Sequence, residues 1–314
     1  MGRHLQFAAA LAALAVHGAL LAEPKDPDRH QFGVIGHSFH NGGDEAKLKR
    51  AIADESESTL AFVVVTGIKG VQEPCSDKLY EKRREMFDDA KRPMIVAPAA
   101  SDWSECKNTA GRSTAIGRLN RLRELFFSEP TSLGARKLPV TRLSASAKFR
   151  SYAENAHWEV GDVLYATVNL PANNNHYRPE AGRNSEYEDR LVANRFWLNR
   201  LFAMARREKR EAIVLFSEGD VKALEQPRGL RALLGRASTQ RDGFDEPRRQ
   251  IATLAQKFSG KVLLIDTAAN SDTTPDIEWR GNLGHLSLGS GAVEVKVTPG
   301  AASPFTLKNA ANEK

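Results

Sequence analysis

Short apolar runs that end in polar turns are the feature that most constrains the fold of this 314-residue chain. Each run is rich in Val, Ile and Leu, as expected of strands that are buried on both faces of a sheet. Amphipathic helical segments separate several of the runs. The clearest runs occupy residues 60–67, 93–98, 212–220 and 261–266. Their alternation with helices predicts an α/β fold, either with one mixed sheet or with two packed sheets and helices outside.

The order of the predicted elements changes along the chain. Strands and helices alternate at first, whereas residues 157–171 contain two strands that turn at Gly161-Asp162, which indicates a hairpin. The tail at 277–298 also has the pattern of short antiparallel strands. Together these segments predict one domain over residues 30–314, a length that suits a single sizeable core.

Polar residues cluster directly after the predicted strands, and loops in that position tend to line one pocket. These loops cover residues 36–44, 66–77, 98–106, 169–177, 217–220 and 266–276. Within them, Asn173 is expected to face the pocket, and Glu218-Gly219-Asp220 is interpreted as a turn that could add a carboxylate. Trp158 and Trp197 are interpreted as core aromatics.

Residues 1–22 have the composition of a secretory signal peptide. Arg3 supplies the positive start, and the apolar stretch of about 15 residues that follows is shorter than a membrane span. A surface or core helix is the alternative interpretation, but the segment shows no amphipathic period. We therefore expect a secreted or periplasmic protein without a membrane anchor, since no later stretch reaches membrane-spanning length.

The net charge of +6 gives little support for nucleic-acid binding. Basic residues are mixed with acidic ones along the chain. The densest basic run, at 206–210, ends a predicted helix, where cations complement the helix dipole. No interleaved aromatic stripe accompanies it. The sequence indicates no particular protein partner.

The chain has two cysteines, Cys75 and Cys106. In a secreted protein an even number of cysteines predicts a disulfide. The bond would close a loop of about 30 residues and stabilise the fold by roughly 3–4 kcal/mol in the chain-entropy treatment. Two free buried thiols are the alternative.

The segment "FGVIGHSFHNGGDE", residues 32–45, joins a short strand to a helix through a polar turn. One hypothesis is a nucleophile elbow at Ser38, because the turn matches Gly-x-Ser-x-Gly except that His40 replaces the last Gly. Asp266 and His285 would then complete a Ser-Asp-His order typical of a serine hydrolase. The bulky His40 opposes this hypothesis, since the last Gly lets the helix pass close to the strand.

The same turn also has the residues of a metal site. His37, His40 and Asp44 fall within one short loop, and neutral imidazoles bind zinc-like ions readily. A polar loop with solvated histidines is the alternative.

The loops after the next two strands resemble a secreted branch of the calcineurin-like metallophosphoesterases. In that branch we expect strand ends reading Gly-Asp-Ser, Gly-Asp-Ile-Lys with Glu-Pro-Cys-Ser-Asp, and Pro-Gly-Asp-Asn-Glu-Trp with a nearby Cys. The most specific match is "EPCSDKLYEKRREMFD" at 73–88, within a resemblance that spans roughly residues 32–270. Further matching pieces are Gly36, Ser38, 67–69, Pro98, 102–103, Cys106, 119–127, 152–158 and 166–175.

The departures from that pattern remove metal ligands. In the superfamily, carboxylates and imidazoles hold two metal ions that activate a water and clamp the phosphate. His37 stands where the first-motif Asp is expected, and no bridging Asp follows Gly67. Ser101 replaces the third-motif Asn, after Ala99-Ala100 in place of Gly-Asp. Asp266 follows the later strand, where a His-Gly-Asp-Thr-His-like stretch is expected.

The resemblance implies a four-layer αββα sandwich of two packed mixed sheets flanked by helices. The lost ligands imply an inactive or impaired phosphoesterase, a pseudoenzyme, or an anion-binding module without a metal cofactor. Its ligand would be a phosphate-containing small molecule. The residues expected to bind it are Lys69, Ser101, Asp102, Asn173 and Asp266.

The alternative is an active phosphoesterase that uses divalent metal ions with rebuilt ligands. His37 and His40 would then be the catalytic residues, replacing the lost carboxylates. A single-metal site would have to be assembled from His37, His40, Asp102 or Asp266.

Overall fold

The computed structural model describes residues 28–37, 45–57, 59–180, 182, 184–225, 241–270 and 274–308. The strands are β1 His30–Ile35, β2 Val63–Thr66, β3 Met94–Ala97, β4 Thr141–Arg142, β5 Ala156–Val160, β6 Val163–Thr167, β7 Ala212–Phe216, β8 Lys261–Asp266, β9 Ile277–Arg280, β10 Leu283–Ser287, β11 Ala292–Val297 and β12 Phe305–Leu307. The α-helices are α1 Glu45–Glu57, α2 Asp77–Asp88, α3 Ala115–Phe126, α4 Ser185–Arg207 and α5 Asp245–Gln256.

Several sequence predictions fall outside these residues. The signal peptide at 1–22 is one, and Ser38, His40 and Asp44 of the first polar turn are others. Within the described part of the chain, no helix combines the length and the apolar character needed to cross a membrane.

The strands form two mixed sheets. The five-stranded sheet has the order β12-β11-β1-β2-β3, and the seven-stranded sheet has the order β4-β5-β6-β7-β8-β10-β9. Neighbours β1, β2 and β3 are parallel, as are β6, β7, β8 and β10. Antiparallel strands extend one edge of the five-stranded sheet and both edges of the seven-stranded sheet. The predicted α/β class with mixed sheets is confirmed.

An aromatic core fills the space between the two sheets. Phe32 and Phe62 of the smaller sheet stack with ring centroids 5.3 Å apart, and Phe62 meets Tyr165 of the larger sheet at 4.8 Å. Trp158 is 2% exposed and stacks on Tyr165, which confirms the interpretation of this Trp as a core residue. Rings of this size dominate core energetics because each buries a large apolar area.

Helices cover the outer faces of both sheets. Strand residues alternate between faces, so Val64 joins the core between the sheets while Val63 and Val65 pack under α1, α2 and α3. Helix α2 begins after Ser76, whose hydroxyl accepts the Leu79 N–H. Helices α4 and α5 cover the seven-stranded sheet, with core residues that include Trp197, as predicted. The layers therefore run helix, sheet, sheet, helix.

The carboxyl-terminal strands differ in part from the sequence expectation. The hairpin at Gly161 is confirmed, because β5 and β6 pair antiparallel on either side of it. The tail was expected to form short antiparallel strands, and β9 and β10 do so, but β10 also lies parallel to β8. Strand β11 then leaves this sheet and pairs with β1 of the other. Local sequence patterns carry no information about such distant pairing.

The two cysteines form a disulfide. Cys75 and Cys106 bond with their Cα atoms 5.9 Å apart. Cys75 lies in the loop after β2 and Cys106 in the loop after β3, so the bond ties together two loops at the carboxyl ends of neighbouring parallel strands. The predicted disulfide is confirmed.

Candidate functional site

Two groups of polar side chains lie at or near the ends of strands. We call the first the inner cluster, made of His37, Lys69, Ser101, Asp102 and Glu218. It follows β1, β2, β3 and β7, so it joins the carboxyl ends of both sheets. We call the second the outer cluster, made of Asp220, Asp266 and His285.

His37 lies at the centre of the inner cluster. Its Nε2 is 3.2 Å from the Lys69 carbonyl oxygen and 3.2 Å from Ser101 Oγ. A carbonyl oxygen only accepts, so Nε2 carries the proton. Gly67 has a φ of +73°, and a Cβ there would be 2.6 Å from the His37 ring. The glycine therefore provides both the left-handed turn and the space that the imidazole fills.

Glu218 faces the other nitrogen of His37. Its Oε1 is 3.5 Å from His37 Nδ1, and its Oε2 accepts the N–H groups of Ala100 at 2.6 Å and Ala172 at 2.7 Å. Burial raises the pKa of Glu218 to about 8, with further raising by Asp102 and Glu105, although the two amide bonds oppose it. At neutral pH this carboxyl group is therefore largely protonated.

The Lys69 side chain does not face solvent. Its side chain is buried, and its ammonium donates to the Gly70 carbonyl at 2.6 Å and to the Ser101 carbonyl at 2.8 Å. Burial lowers its pKa, while the charges of Asp102, Glu73 and Glu105 act to raise it. The ammonium thus fastens the loop after β2 to the loop after β3.

Asp102 clamps the same two loops through the backbone. Its Oδ1 accepts the N–H of Ile68 at 2.9 Å and of Lys69 at 3.1 Å, and its Oδ2 accepts the N–H of Ala99 at 2.7 Å. Burial raises the pKa of this carboxyl group to about 6 against the effect of those bonds and of the Lys69 charge. All three of these hydrogen bonds are donated to Asp102 by backbone N–H groups.

Asn173 lies beside the inner cluster and contacts it indirectly. Its Nδ2 donates to Ser104 Oγ at 2.9 Å, and its buried Oδ1 has no hydrogen-bond partner among the described residues. The next three residues, Asn174, Asn175 and His176, all have φ between 52° and 55°. Left-handed backbone of this kind is costly for residues other than glycine.

The outer cluster brings one imidazole between two carboxylates. His285 Nε2 is 2.5 Å from Asp266 Oδ2 and 3.6 Å from Asp220 Oδ1. Asp266 Oδ1 accepts the Ser287 hydroxyl at 2.5 Å and the Ala268 N–H at 3.0 Å. Burial opposes a charge on His285, but the Asp266 bond and the charges of Asp266 and Asp220 raise its pKa. Burial, and then the charge of Asp266, raise the pKa of Asp220.

Strand alternation puts this cluster on the helix side of the larger sheet. Ile265 belongs to the core between the sheets and Leu264 to the core under α4 and α5, so Asp266 points to the helix side. His285 is paired with Leu264 and Ser287 with Asp266, and paired residues share a face.

The structure therefore divides the residues predicted to form one site. His37, Lys69, Ser101 and Asp102 come together, Asn173 reaches them through Ser104, and Asp266 belongs to the outer cluster. Ser38 and His40 lie outside the described residues. Glu218 was interpreted only as a turn that could add a carboxylate, yet it bonds the loops after β3 and β6. Its position after a buried strand is the signal that could have identified it.

The inner cluster does not fit a pair of metal ions. The Asp102 oxygens are occupied by three backbone N–H groups, and His37 Nε2 points at a carbonyl and a hydroxyl. The buried Lys69 ammonium adds a positive charge beside them. Two dications need several carboxylates close together, since their mutual repulsion is otherwise uncompensated.

The sequence was compared with protein-family models and with curated proteins, and neither comparison identifies a family for the chain. No protein-family model matches the chain, and no curated protein matches it significantly.

Proposed function

We propose that this chain is a secreted, metallophosphoesterase-like protein in which the catalytic pocket of that superfamily is closed, so that it acts without phosphoesterase chemistry. The observation that carries the proposal is that the side chains of the inner cluster are buried and hydrogen-bonded. His37, Lys69, Ser101 and Asp102 are each at most 2% exposed, and His37 Nε2 and the side-chain polar atoms of the other three bond to one another or to the backbone. A phosphate ester has no open metal-binding face to approach there.

The balance of charge supports the same proposal. Phosphoryl transfer is catalysed by placing cations on the developing negative charge, so the pocket has to hold metal ions strongly. At neutral pH the protonated form of Glu218 and the bonded ammonium of Lys69 leave Asp102 as the main negative group of the inner cluster. Such a cluster stabilises loops instead of ions.

We also propose that a chain of this kind binds an anion. The resemblance implies a phosphate-containing small molecule, and Lys69 is the cation that would attract it. To do so, the ammonium has to exchange its bonds to the Gly70 and Ser101 carbonyls for the anion. Titration of the protein with inorganic phosphate, with Lys69→Met as the matched variant, tests this role by calorimetry.

The closed pocket is tested by assaying hydrolysis of aryl phosphate monoesters and diesters. Residues 23–314 are expressed in an oxidising compartment, purified without a chelating tag, and supplied in turn with Mn²⁺ and Zn²⁺. We expect no hydrolysis above that of buffer with the same ions. Metal-dependent hydrolysis that disappears in His37→Ala and persists in His30→Ala, at the opposite end of β1, would instead establish the active enzyme with rebuilt histidine ligands.

A second candidate function, a serine hydrolase, is favoured by the short bond between His285 and Asp266. These are two members of the order proposed with Ser38. The bond uses His285 Nε2, which leaves Nδ1 as the nitrogen for a nucleophile. Labelling with a fluorophosphonate probe, compared between the parent chain and Ser38→Ala, decides this function, and an absence of labelling ends it.

A further inference from the structure

We propose that the outer cluster, Asp220, Asp266 and His285, is a binding site for a single divalent transition-metal ion of the zinc class. Of the metal-binding positions that the resemblance implies, the site includes only the loop that begins at Asp266, whereas Asp220 and His285 lie outside them. It does not rest on the proposed function.

The first argument is the convergence of three different ligands from three different elements. Asp220 follows β7, Asp266 ends β8 and His285 lies within β10. One ligand atom from each lies within 4.8 Å of the other two. An imidazole with two carboxylates is a donor set that Zn²⁺ accepts, with water in the remaining position.

The second argument is the fit of the distances to an ion. Zinc bonds to nitrogen and oxygen are about 2.0–2.2 Å long, so ligand atoms of a tetrahedral site lie roughly 3.4 Å apart. His285 Nε2 and Asp220 Oδ1 are already 3.6 Å apart. His285 Nε2 and Asp266 Oδ2 are 2.5 Å apart. This pair has to open by roughly 1 Å to admit the ion.

The third argument is that hydrogen bonds from neighbouring groups hold one of the ligands in place. Asp266 is 3% exposed and its second oxygen is held by the Ser287 hydroxyl and the Ala268 N–H. Outer partners of this kind fix a ligating carboxylate in orientation. In contrast, the side chains of His285 and Asp220 are 19% and 26% exposed. The cluster therefore has a rigid buried base and an open side through which an ion and its water can enter.

The fourth argument is the charge of the cluster. The carboxylates of Asp220 and Asp266 both face His285 Nε2 in a partly buried volume, so their negative charges lie close together and repel each other. A dication at the point that all three ligands face offsets this repulsion.

The experiment is a count of bound Zn²⁺ on the intact mature chain with its disulfide formed. The protein is stripped by dialysis against chelator, exchanged into metal-free buffer, loaded with excess Zn²⁺ and desalted before elemental mass spectrometry. Calorimetry gives the affinity. Substitution with Co²⁺ gives a visible absorption spectrum that reports imidazole and carboxylate coordination directly.

We expect one Zn²⁺ per chain. His285→Ala and Asp220→Asn should weaken binding by more than the roughly 10- to 100-fold that loss of an outer partner causes. Asp220→Asn is nearly isosteric and partly exposed, so it keeps the fold, which circular dichroism verifies. His37→Ala and the exposed control Asp162→Asn should bind Zn²⁺ like the parent.

No bound Zn²⁺, or a zinc count that survives both His285→Ala and Asp220→Asn, would overturn the inference. So would an ion that is lost only in His37→Ala. The outcome is independent of the closed pocket, because that proposal is tested by hydrolysis. Zinc bound without hydrolysis supports both proposals. Hydrolysis that requires His285 and zinc supports this site and overturns the closed pocket.

Discussion

The inner and outer clusters contain similar residue types but differ in burial and in the partners of their carboxylates. In the inner cluster, Asp102 and Glu218 accept five backbone N–H bonds between them, and His37 is 2% exposed. In the outer cluster, Asp266 and Asp220 both face one imidazole that is open to solvent on one side. Carboxylates that hold loop amides stabilise a fold, whereas carboxylates that converge on one point are able to bind a cation. The comparison yields four predictions.

The largest effect is expected for Asp102→Ala. The substitution leaves the buried N–H groups of Ile68, Lys69 and Ala99 without their acceptor, and each such group costs about 1–3 kcal/mol. We expect the free energy of unfolding to fall by about 3–5 kcal/mol in urea denaturation. Asp162→Ala, at a side chain that is 53% exposed, is the matched control and should change little. Equal effects at the two positions would contradict the clamp.

The next largest effect is expected for removal of the disulfide. Replacing Cys75 and Cys106 together by Ser opens a loop with a sequence separation of 31 residues, and this should lower the free energy of unfolding. Chain entropy sets the loss at about 3–4 kcal/mol. Since the bond ties only the loops of the inner cluster, the zinc count of the outer cluster should be unchanged in the folded double variant. Loss of zinc along with the disulfide would show that the two clusters are coupled.

A smaller effect is expected for Glu218→Gln, and it depends on pH. The folded-state pKa of Glu218 is raised from 4.5 to about 8, so the folded chain holds a proton that the unfolded chain has released. Its contribution to stability is complete below pH 4.5 and is lost as the pH rises to about 8.

The variant lacks this titration. Between pH 6 and pH 8 the parent should lose about 2 kcal/mol more stability than Glu218→Gln, because Asp102, with its pKa of about 6, titrates in both proteins. Unfolding curves at several pH values measure the difference. Parallel pH profiles for the two proteins would show that Glu218 is ionised in the folded state.

The smallest effect on stability is expected for Asp220→Asn. This side chain is 26% exposed, and its substitution removes a repulsion with Asp266, so the free energy of unfolding should change by less than about 0.5 kcal/mol or rise slightly. Thermal unfolding without metal measures it. A loss as large as that of Asp102→Ala would show that the outer cluster is also a structural network.

The fold was largely predictable, because the apolar runs now seen as β2, β3, β7 and β8 follow from local composition. Part of the site was predictable for the same reason, since His37, Ser101 and Asp102 each follow a strand of one parallel set. Asp266 also follows a strand, but the alternation of side chains turns it to the helix face of the larger sheet, where it belongs to the outer cluster. A shift of one residue in the pairing of β8 would place the Asp266 side chain on the opposite face of the sheet. The register of this pairing is set by tertiary structure and not by the local sequence.

Glu218 shows a second limit of the sequence. Its position after a buried strand marks Glu218 as a candidate site residue, but this local pattern does not predict whether the side chain is buried. Its burial depends on the Ala100 and Ala172 amides, which come from loops more than forty residues away in sequence. Such partners cannot be found without the three-dimensional arrangement of the loops.

The pairing of β1 with β11 has a consequence for the order in which the chain can fold. Strand β1 is central in its sheet, with β2 on one side and β11, from near the opposite end of the chain, on the other. The ladder runs over six residue pairs, from His30 with Val297 to Ile35 with Ala292. A nascent chain still lacking residues 292–297 therefore exposes an unpaired edge of β1, and edges of this kind recruit other strands. The five-stranded sheet is completed only after residues 292–307, which contain β11 and β12, have been synthesised.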